Sequence, residues 1–233
     1  MKERIFVPLS IVAGMLLLLS GCETVDENLR NVFDAVFSNS SNEGRSAERR
    51  TQIESTHGST SRTDLEALLD QGPEGVELSS EERALYEKIM DYRHENDLPT
   101  IPISRSLTFV AQVHARDTAA TDFPDGCNRH SWSDDGPWQG GCYTSDHANA
   151  EVMWEKPKEL TDYPGIGFEI SHYNSAGTTA RSSLSGWQSS PGHDRVIRNA
   201  GQWSSEEWKA IGIGVYETEA HVWFGREADP LDW

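Results

Sequence analysis

His193 and His130 are the residues of this chain whose types and settings suit chemistry. His193 stands in Gly186-Trp187-Gln188-Ser189-Ser190-Pro191-Gly192-His193-Asp194-Arg195-Val196-Ile197, six residues after a tryptophan, with a Ser-Pro-Gly turn presenting the ring. His130 stands in Arg129-His130-Ser131-Trp132. Imidazole is an acid or base near neutral pH and a ligand for divalent metals. Two neutral imidazoles with open positions for water would make a zinc or copper(II) site, loosely held without a third strong ligand. No His-Glu-x-x-His stands in the chain, and neither a nucleophile elbow nor a Cys–His pair can be read from it. On spacing alone, both rings read first as hydrogen-bonded pocket residues and only second as metal ligands.

The cysteines take their meaning from the N-terminus. Lys2 and Arg4 precede an apolar run from Ile5 to Leu19, and Leu19-Ser20-Gly21-Cys22 follows. A basic start, a short apolar segment and small residues at its end mark a secretory signal. The run falls short of the roughly 20 apolar residues that cross a bilayer. Its end resembles a bacterial lipobox, in which the thiol of Cys22 is acylated, with palmitate for example, and becomes the mature N-terminus. Several chains at about 0.8 kcal/mol per buried methylene would hold such a protein firmly at a membrane. Glu23, where an Asp would favour inner-membrane retention, points to the outer membrane if the source is Gram-negative. With Cys22 taken by lipid, Cys127 and Cys142 form an even pair in an oxidising compartment, which predicts one disulfide. Two buried free thiols are the alternative.

Charge excludes some partners. Asp and Glu number 38 against 20 Lys and Arg, a net charge of −18, and no basic stripe offsets it. Nucleic acid is therefore a poor partner, and so is an anionic lipid surface reached through the polypeptide. The anchor has to be covalent. Acidity of this size serves solubility, and a monomer is expected.

The elements that must position the two histidines lie downstream of a polar stretch. Residues 1–21 read as the signal peptide and 22–77 as a flexible tether, too poor in apolar residues to repay ordering, with short helical pieces near Leu29–Phe37 and Leu65–Leu69. One domain follows over 78–225, with a tail over 226–233. Ser79-Ser80-Glu81-Glu82 is a capping box, and Leu85, Ile89 and Tyr92 share the helix face behind it. Leu98-Pro99 stops that helix. A second follows Ser104, with Leu107, Val110, Ala111, His114, Ala115 and Thr118 on one side. Loops follow, with one helix over about 146–154, and another spans about 179–189 and carries Leu184 and Trp187. Ile211, Ile213 and Val215 alternate against Val222 and Phe224, the pattern of a hairpin with one buried face. Helices with a small antiparallel sheet give an α+β class.

Taken together and in this order, these segments resemble the CAP superfamily, the secreted fold of cysteine-rich secretory proteins, venom antigens and plant pathogenesis-related proteins. The Trp, the Ser-Pro-Gly-His and the hydrophobic tail are most similar to its bacterial branch. The resemblance implies an α–β–α sandwich with a central cavity lined by two histidines and two acidic residues, where a divalent metal, often zinc, can sit. It places the histidines at His130 and His193. The first glutamate belongs to a Gly-Glu-Asn-Ile motif; this chain reads Gly167-Phe168-Glu169-Ile170, so Glu169 falls one place later, an offset that in extended backbone turns a side chain to the other face. The second glutamate is missing, since Gln188, Ser189 and Ser190 fill its stretch. Trp132 is expected beside His130 in the cavity, whereas Trp187 and Trp223 read as core. His114 reads as packed rather than a ligand, and His147, His172 and His221 show no partner pattern. The implied function is a non-catalytic module binding a lipid, sterol, peptide or envelope component. The alternatives are a metal-assisted hydrolase, with Glu169 as general base, and a structural or partner-binding role using the insertion over 127–164.

Overall fold

The computed structural model describes residues 62–231 and 233; the signal segment, Cys22 and the residues up to 61 lie outside the described residues. Helix α1 covers 62–71, and a 3-10 turn at Pro73–Gly75 leads to helix α2 (Ser80–His94). The expected capping box opens α2. The Ser79 hydroxyl accepts from the Glu82 N–H at 3.2 Å, and the Glu82 carboxylate accepts from the Ser79 N–H at 2.7 Å. Leu85 and Ile89 on its inner face are fully buried, each contributing roughly 1.5–3 kcal/mol. The helix ends at His94, ahead of Leu98-Pro99, because the chain turns with Asp97 at φ 58°.

Helix α3 (Arg105–Ala120) is capped twice. The Ser104 hydroxyl accepts from the Leu107 N–H at 2.9 Å. Asp229 then accepts from the Ser106 N–H and hydroxyl, each at 2.8 Å, and from the Ser104 hydroxyl. The segment expected as a tail is thus tied down, and Tyr163 Oη also donates to the Glu227 carbonyl at 2.6 Å.

Two short helices, α4 (Glu151–Trp154) and α5 (Lys156–Leu160), precede strand β1 (Gly167–Tyr173). Helix α6 (Ala180–Gln188) and helix α7 (Pro191–Ile197) lead through a 3-10 turn (Gly201–Trp203) to the hairpin of β2 (Ala210–Tyr216) and β3 (Glu219–Gly225). The sheet is antiparallel with order β1-β3-β2, so the central strand β3 is buried along its length. The register sets Glu169 opposite Trp223, and Trp223 opposite Gly212. Alternation then puts Glu169, His221, Trp223, Gly212 and Gly214 on one face, and Phe168, Ile170, Val222, Phe224, Ile211 and Ile213 on the other.

Helix α3 lies on the first face with its backbone in contact with β2. A Cβ at Gly212 would stand 2.0 Å from the Leu107 carbonyl carbon, and one at Gly214 would stand 2.2 Å from that of Ala111. Helices α2, α6 and α7 cover the second face with Leu85, Ile89, Trp187, Val196 and Ile197. This is an α–β–α sandwich. Among the described residues no helix is long and apolar enough to cross a membrane.

Three further local expectations differ. Residues 62–77 are not the free end of a tether: Leu65, Leu68 and Val76 are buried in the cluster that holds Leu107, Val110 and Trp223. Three apolar residues gathered on one side suffice, and the folded region begins by residue 62 rather than 78. The helix expected over 146–154 starts only at Glu151, since His147 and Asn149 hold left-handed backbone, with φ 63° and 60°. Strand β1 has no counterpart among the elements expected from the sequence.

Candidate functional site

Glu169 is the centre of the site. It is buried on β1 and accepts from three imidazoles: His114 Nδ1 on Oε1 at 2.5 Å, His221 Nδ1 on Oε1 at 2.7 Å and His130 Nδ1 on Oε2 at 2.6 Å. His221 comes from β3 on the same face, His114 from the buried side of α3, and His130 from the loop beyond α3. The far nitrogen of His114 fixes the protons on that ring. His114 Nε2 lies 2.9 Å from the Ser131 carbonyl, which only accepts, so this nitrogen carries a hydrogen. A proton is then also required between Nδ1 and Glu169, which makes the pair imidazolium and carboxylate. Burial alone would raise the Glu169 carboxyl, but the His114 and His221 rings and their hydrogen bonds hold it well below the usual carboxylate range. Burial opposes charging of His114, and the charge of Glu169 overcomes it and raises that imidazole. His221 is pushed down to about 4, by burial first and by His114 second, so it stays neutral and donates through Nδ1. One positive ring against one negative carboxylate balances the buried charge.

The disulfide shapes the wall that carries His130. Cys127 and Cys142 are bonded, and the Asn128 N–H donates to the Tyr143 carbonyl at 2.9 Å beside them. Trp132 and Gly141 exchange backbone hydrogen bonds at 3.0 and 2.9 Å, closing the loop between. Trp132 does not line the cavity as expected. Its ring is buried and stacks on His114 with centroids 4.1 Å apart, forming the back wall of the histidine cluster.

His193 sits in the first turn of α7 rather than on a loose turn, because Pro191 opens a short helix there. Its ring centroid is 6.4 Å from that of His130. Both rings face a cavity of about 540 Å³, with Glu169 at its floor, Tyr143, Arg195 and Gln202 at its polar margin, and Met153, Trp154, Phe168, Val196 and Trp203 as apolar wall. Burial, with His130 second, pushes the His193 imidazole down to about 4, so it is a neutral ring. His130, Glu169 and His193 therefore meet at one place, and the one-place offset of Glu169 leaves it facing inward.

His114 and His221 are the site residues that the sequence reading missed. His114 occupies the side of its helix assigned to the core, whereas His221 alternates with Val222 and falls on the hairpin face opposite the one read as buried. Both are buried, and a buried polar side chain has to find a partner. That requirement was the available signal. His147 lies at the cavity margin, bonded to Tyr143 Oη at 2.8 Å. His172 is on the opposite face of β1, edge-on to Trp187.

The family is decided by a sequence match: the model of the CAP domain, the cysteine-rich secretory protein family, matches residues 86–224. The chain belongs to this family. Among solved structures, this CAP protein is similar to an outer surface protein from Borrelia burgdorferi, at 16% identity and a TM-score of 0.44, over 65% of this chain and 96% of that one. It is also similar to an extracellular protein containing an SCP domain from Bacillus anthracis str. Ames, at 16% identity and a TM-score of 0.42, over 65% of this chain and 45% of that one. No curated protein matches the chain.

The family implies a divalent metal between the cavity histidines. His193 is neutral and makes no hydrogen bond through its ring among the described residues. His130 is aimed by Glu169 on its Nδ1, the arrangement in which a carboxylate orients a metal-binding imidazole through its other nitrogen. Two rings sharing a tetrahedral metal at about 2.0–2.1 Å would have centroids roughly 5 Å apart. The observed 6.4 Å needs an approach of about 1 Å. His130 and His193 fit the group, with water completing the shell. Among the described residues, His114, Glu169 and His221 also bring ligand-type atoms within 4.8 Å of one another. Their contacts of 2.5 and 2.7 Å are filled by protons, and the nitrogens of His114 are both engaged. That trio is better described as the support of His130 than as a metal cage.

Proposed function

We propose that this CAP protein is an exported binding module whose cavity takes a partly apolar ligand, such as a lipid, a peptide or another envelope component, without transforming it. One observation carries the reading. Glu169 is the carboxylate at the cavity floor, and it is already held by three imidazoles, so it is not free to act as a base. The apolar wall of Met153, Trp154, Phe168, Val196 and Trp203 supplies binding area, while His130, His193 and Arg195 supply polar anchors. Acylation of Cys22 would hold the module at the cell envelope, and the Cys127–Cys142 disulfide accords with an oxidising compartment. The test is extraction and mass spectrometry of what co-purifies with the membrane-fraction protein, beside the Val196→Arg variant. A retained compound that the variant loses supports the reading, and turnover of that compound by the wild type overturns it. Intact mass decides the anchor: Cys22→Ala should leave unprocessed or soluble protein, and a membrane-fraction protein without acyl chains would refute lipidation.

A second reading, a metal-assisted hydrolase, is favoured by the neutral His193 opposite a carboxylate-oriented His130. The metal would supply a polarised water in that space. Metal content after purification, compared with His130→Ala and His193→Ala, tests it. Equal metal in all three proteins removes it.

A further inference from the structure

Arg93 poses a question that the cavity does not answer. It is 2% exposed, near the end of α2, and among the described residues no carboxylate is hydrogen-bonded to it. Nε donates to the Pro99 carbonyl at 3.1 Å, and Nη1 donates to the Ile197 carbonyl and to Asn199 Oδ1, each at 2.6 Å. Nη2 has no hydrogen bond within the described residues, and the side chain lines a cleft of about 490 Å³ whose walls include none of the residues around His130. Burial without a neighbouring anion lowers the guanidinium to about 10. A buried cation is ordinarily paired, and in a chain of net charge −18 a spare carboxylate would be easy to supply.

The walls of the cleft specify what the missing partner carries. Leu98, Pro99, Pro102 and the edge of Trp208 are apolar, and Lys209 stands exposed at the rim. Two acidic residues also border the cleft. Glu206 is engaged by both Nε and Nη2 of Arg226, at 2.5 and 2.6 Å, and Glu207 is exposed to solvent. Neither reaches Arg93. We infer that this cleft is a second binding site, for an apolar molecule ending in a carboxylate, which the free Nη2 of Arg93 receives while the body lies against Leu98, Pro102 and Trp208. Guanidinium suits this role because its N–H groups form a fixed planar fork. The carboxylate can belong to a free organic acid or to the C-terminus of a peptide; both present the same group at the end of an apolar body.

The test uses the full-length protein in detergent with 15N-labelled arginine, so that the Arg93 side chain is read directly. The Arg93→Lys variant serves only to assign its resonance. The probes are the peptide Leu-Leu-Phe with a free C-terminus, the same peptide amidated, 4-phenylbutyrate and inorganic phosphate. The expected result is a saturable shift of the Arg93 Nη signal with the free peptide or with phenylbutyrate, and at least tenfold weaker binding of the amide. Lys209→Glu, an exposed change that keeps the fold, should weaken the bound acid several-fold. Preference for the peptide names a chain terminus as the source, and equal or better binding of phenylbutyrate names a free acid. No shift with either acid at millimolar concentration overturns the proposal. So does an equal shift with the amide, or with phosphate, which would mean an adventitious ion only.

Discussion

Replacing Glu169 with Gln tests the account of the site at its centre. The carboxylate accepts three N–H bonds on two oxygens, at 2.5, 2.6 and 2.7 Å. Glutamine keeps the shape but offers one oxygen and one NH2 group. If its oxygen takes the place shared by His114 and His221, its NH2 faces His130 Nδ1, which must then give up its hydrogen. His114 also loses its counter-charge and has to become neutral or stay as an unpaired buried ion. Removing one member of a buried pair costs about 3–5 kcal/mol. For a folded region of this size, about 2–4 °C of Tm goes with each kcal/mol, so the midpoint should fall by roughly 6–20 °C. Urea denaturation at pH 7 gives the free energy directly. The pH profile supplies an independent check. The folded Glu169 lies below its ordinary value of 4.5, so its contribution is present above about pH 4.5 and is lost as pH falls through the folded value. The gap between wild type and Glu169→Gln should therefore close in acid. A loss under 1 kcal/mol at pH 7, or a gap that does not change with pH, would show that Glu169 is not the charged hub of the histidine cluster. Under the metal reading proposed above, the variant should also lower divalent-metal affinity about 10–100-fold, because His130 loses the partner that aims it.

Three further perturbations probe the supports of the site. Cys127→Ser with Cys142→Ser opens a loop with a sequence separation of 15 and should cost about 3 kcal/mol in urea denaturation; a change below about 1 kcal/mol would mean that the backbone bonds of Asn128 and Trp132 hold the loop unaided. Gly212→Ala places a methyl 2.0 Å from the Leu107 backbone and should destabilise by about 1–3 kcal/mol or more; a wild-type Tm would disprove the close seat of α3 on β2. Glu219 is buried, with Arg129 Nη1 3.1 Å away, and burial raises its carboxyl from 4.5 to about 7 despite that neighbour. A raised acid is stabilising while protonated and loses that contribution as pH climbs from about 4.5 through 7. Glu219→Gln should accordingly match wild type near pH 4 and gain in relative Tm toward pH 8, and an opposite trend would place the proton elsewhere.

Local signals proved strong where one residue type has one physical use. Ser79 and Glu82 cap α2 as a reciprocal pair, and the alternation of Ile211, Ile213 and Val215 against Val222 and Phe224 fixes which face of the hairpin meets α2 and α7. Strand β1 is hard to see in the sequence because its seven residues, Gly167-Phe168-Glu169-Ile170-Ser171-His172-Tyr173, mix both faces: Phe168 and Ile170 enter one core while Glu169 enters the other layer. Phe168, Glu169, Ile170 and Ser171 do alternate, but over four residues only, and the polar side of that alternation enters a buried cluster rather than solvent. The α1 contacts are hidden for a similar reason, since Leu65 and Leu68 are too few to mark a core by themselves and become one only against Leu107 and Val110.

The site divides along the same line. His130 and His193 are legible from their sequence settings, whereas His114 and His221 look like interior residues of a helix and a strand. What makes them part of the site is the partner each must have, and that partner is set by register, a long-range property. Glu169 stands opposite Trp223, two places from His221 along β3 and beneath the turn of α3 that carries His114. Shifting β1 by one residue would put Phe168 or Ile170 against the two imidazoles and send the carboxylate into the layer of Leu85 and Ile89. Each arrangement would leave buried charge unpaired, at several kcal/mol. The polar cluster thus selects the register of β1, and that register brings His130 and its cavity nitrogen to face His193.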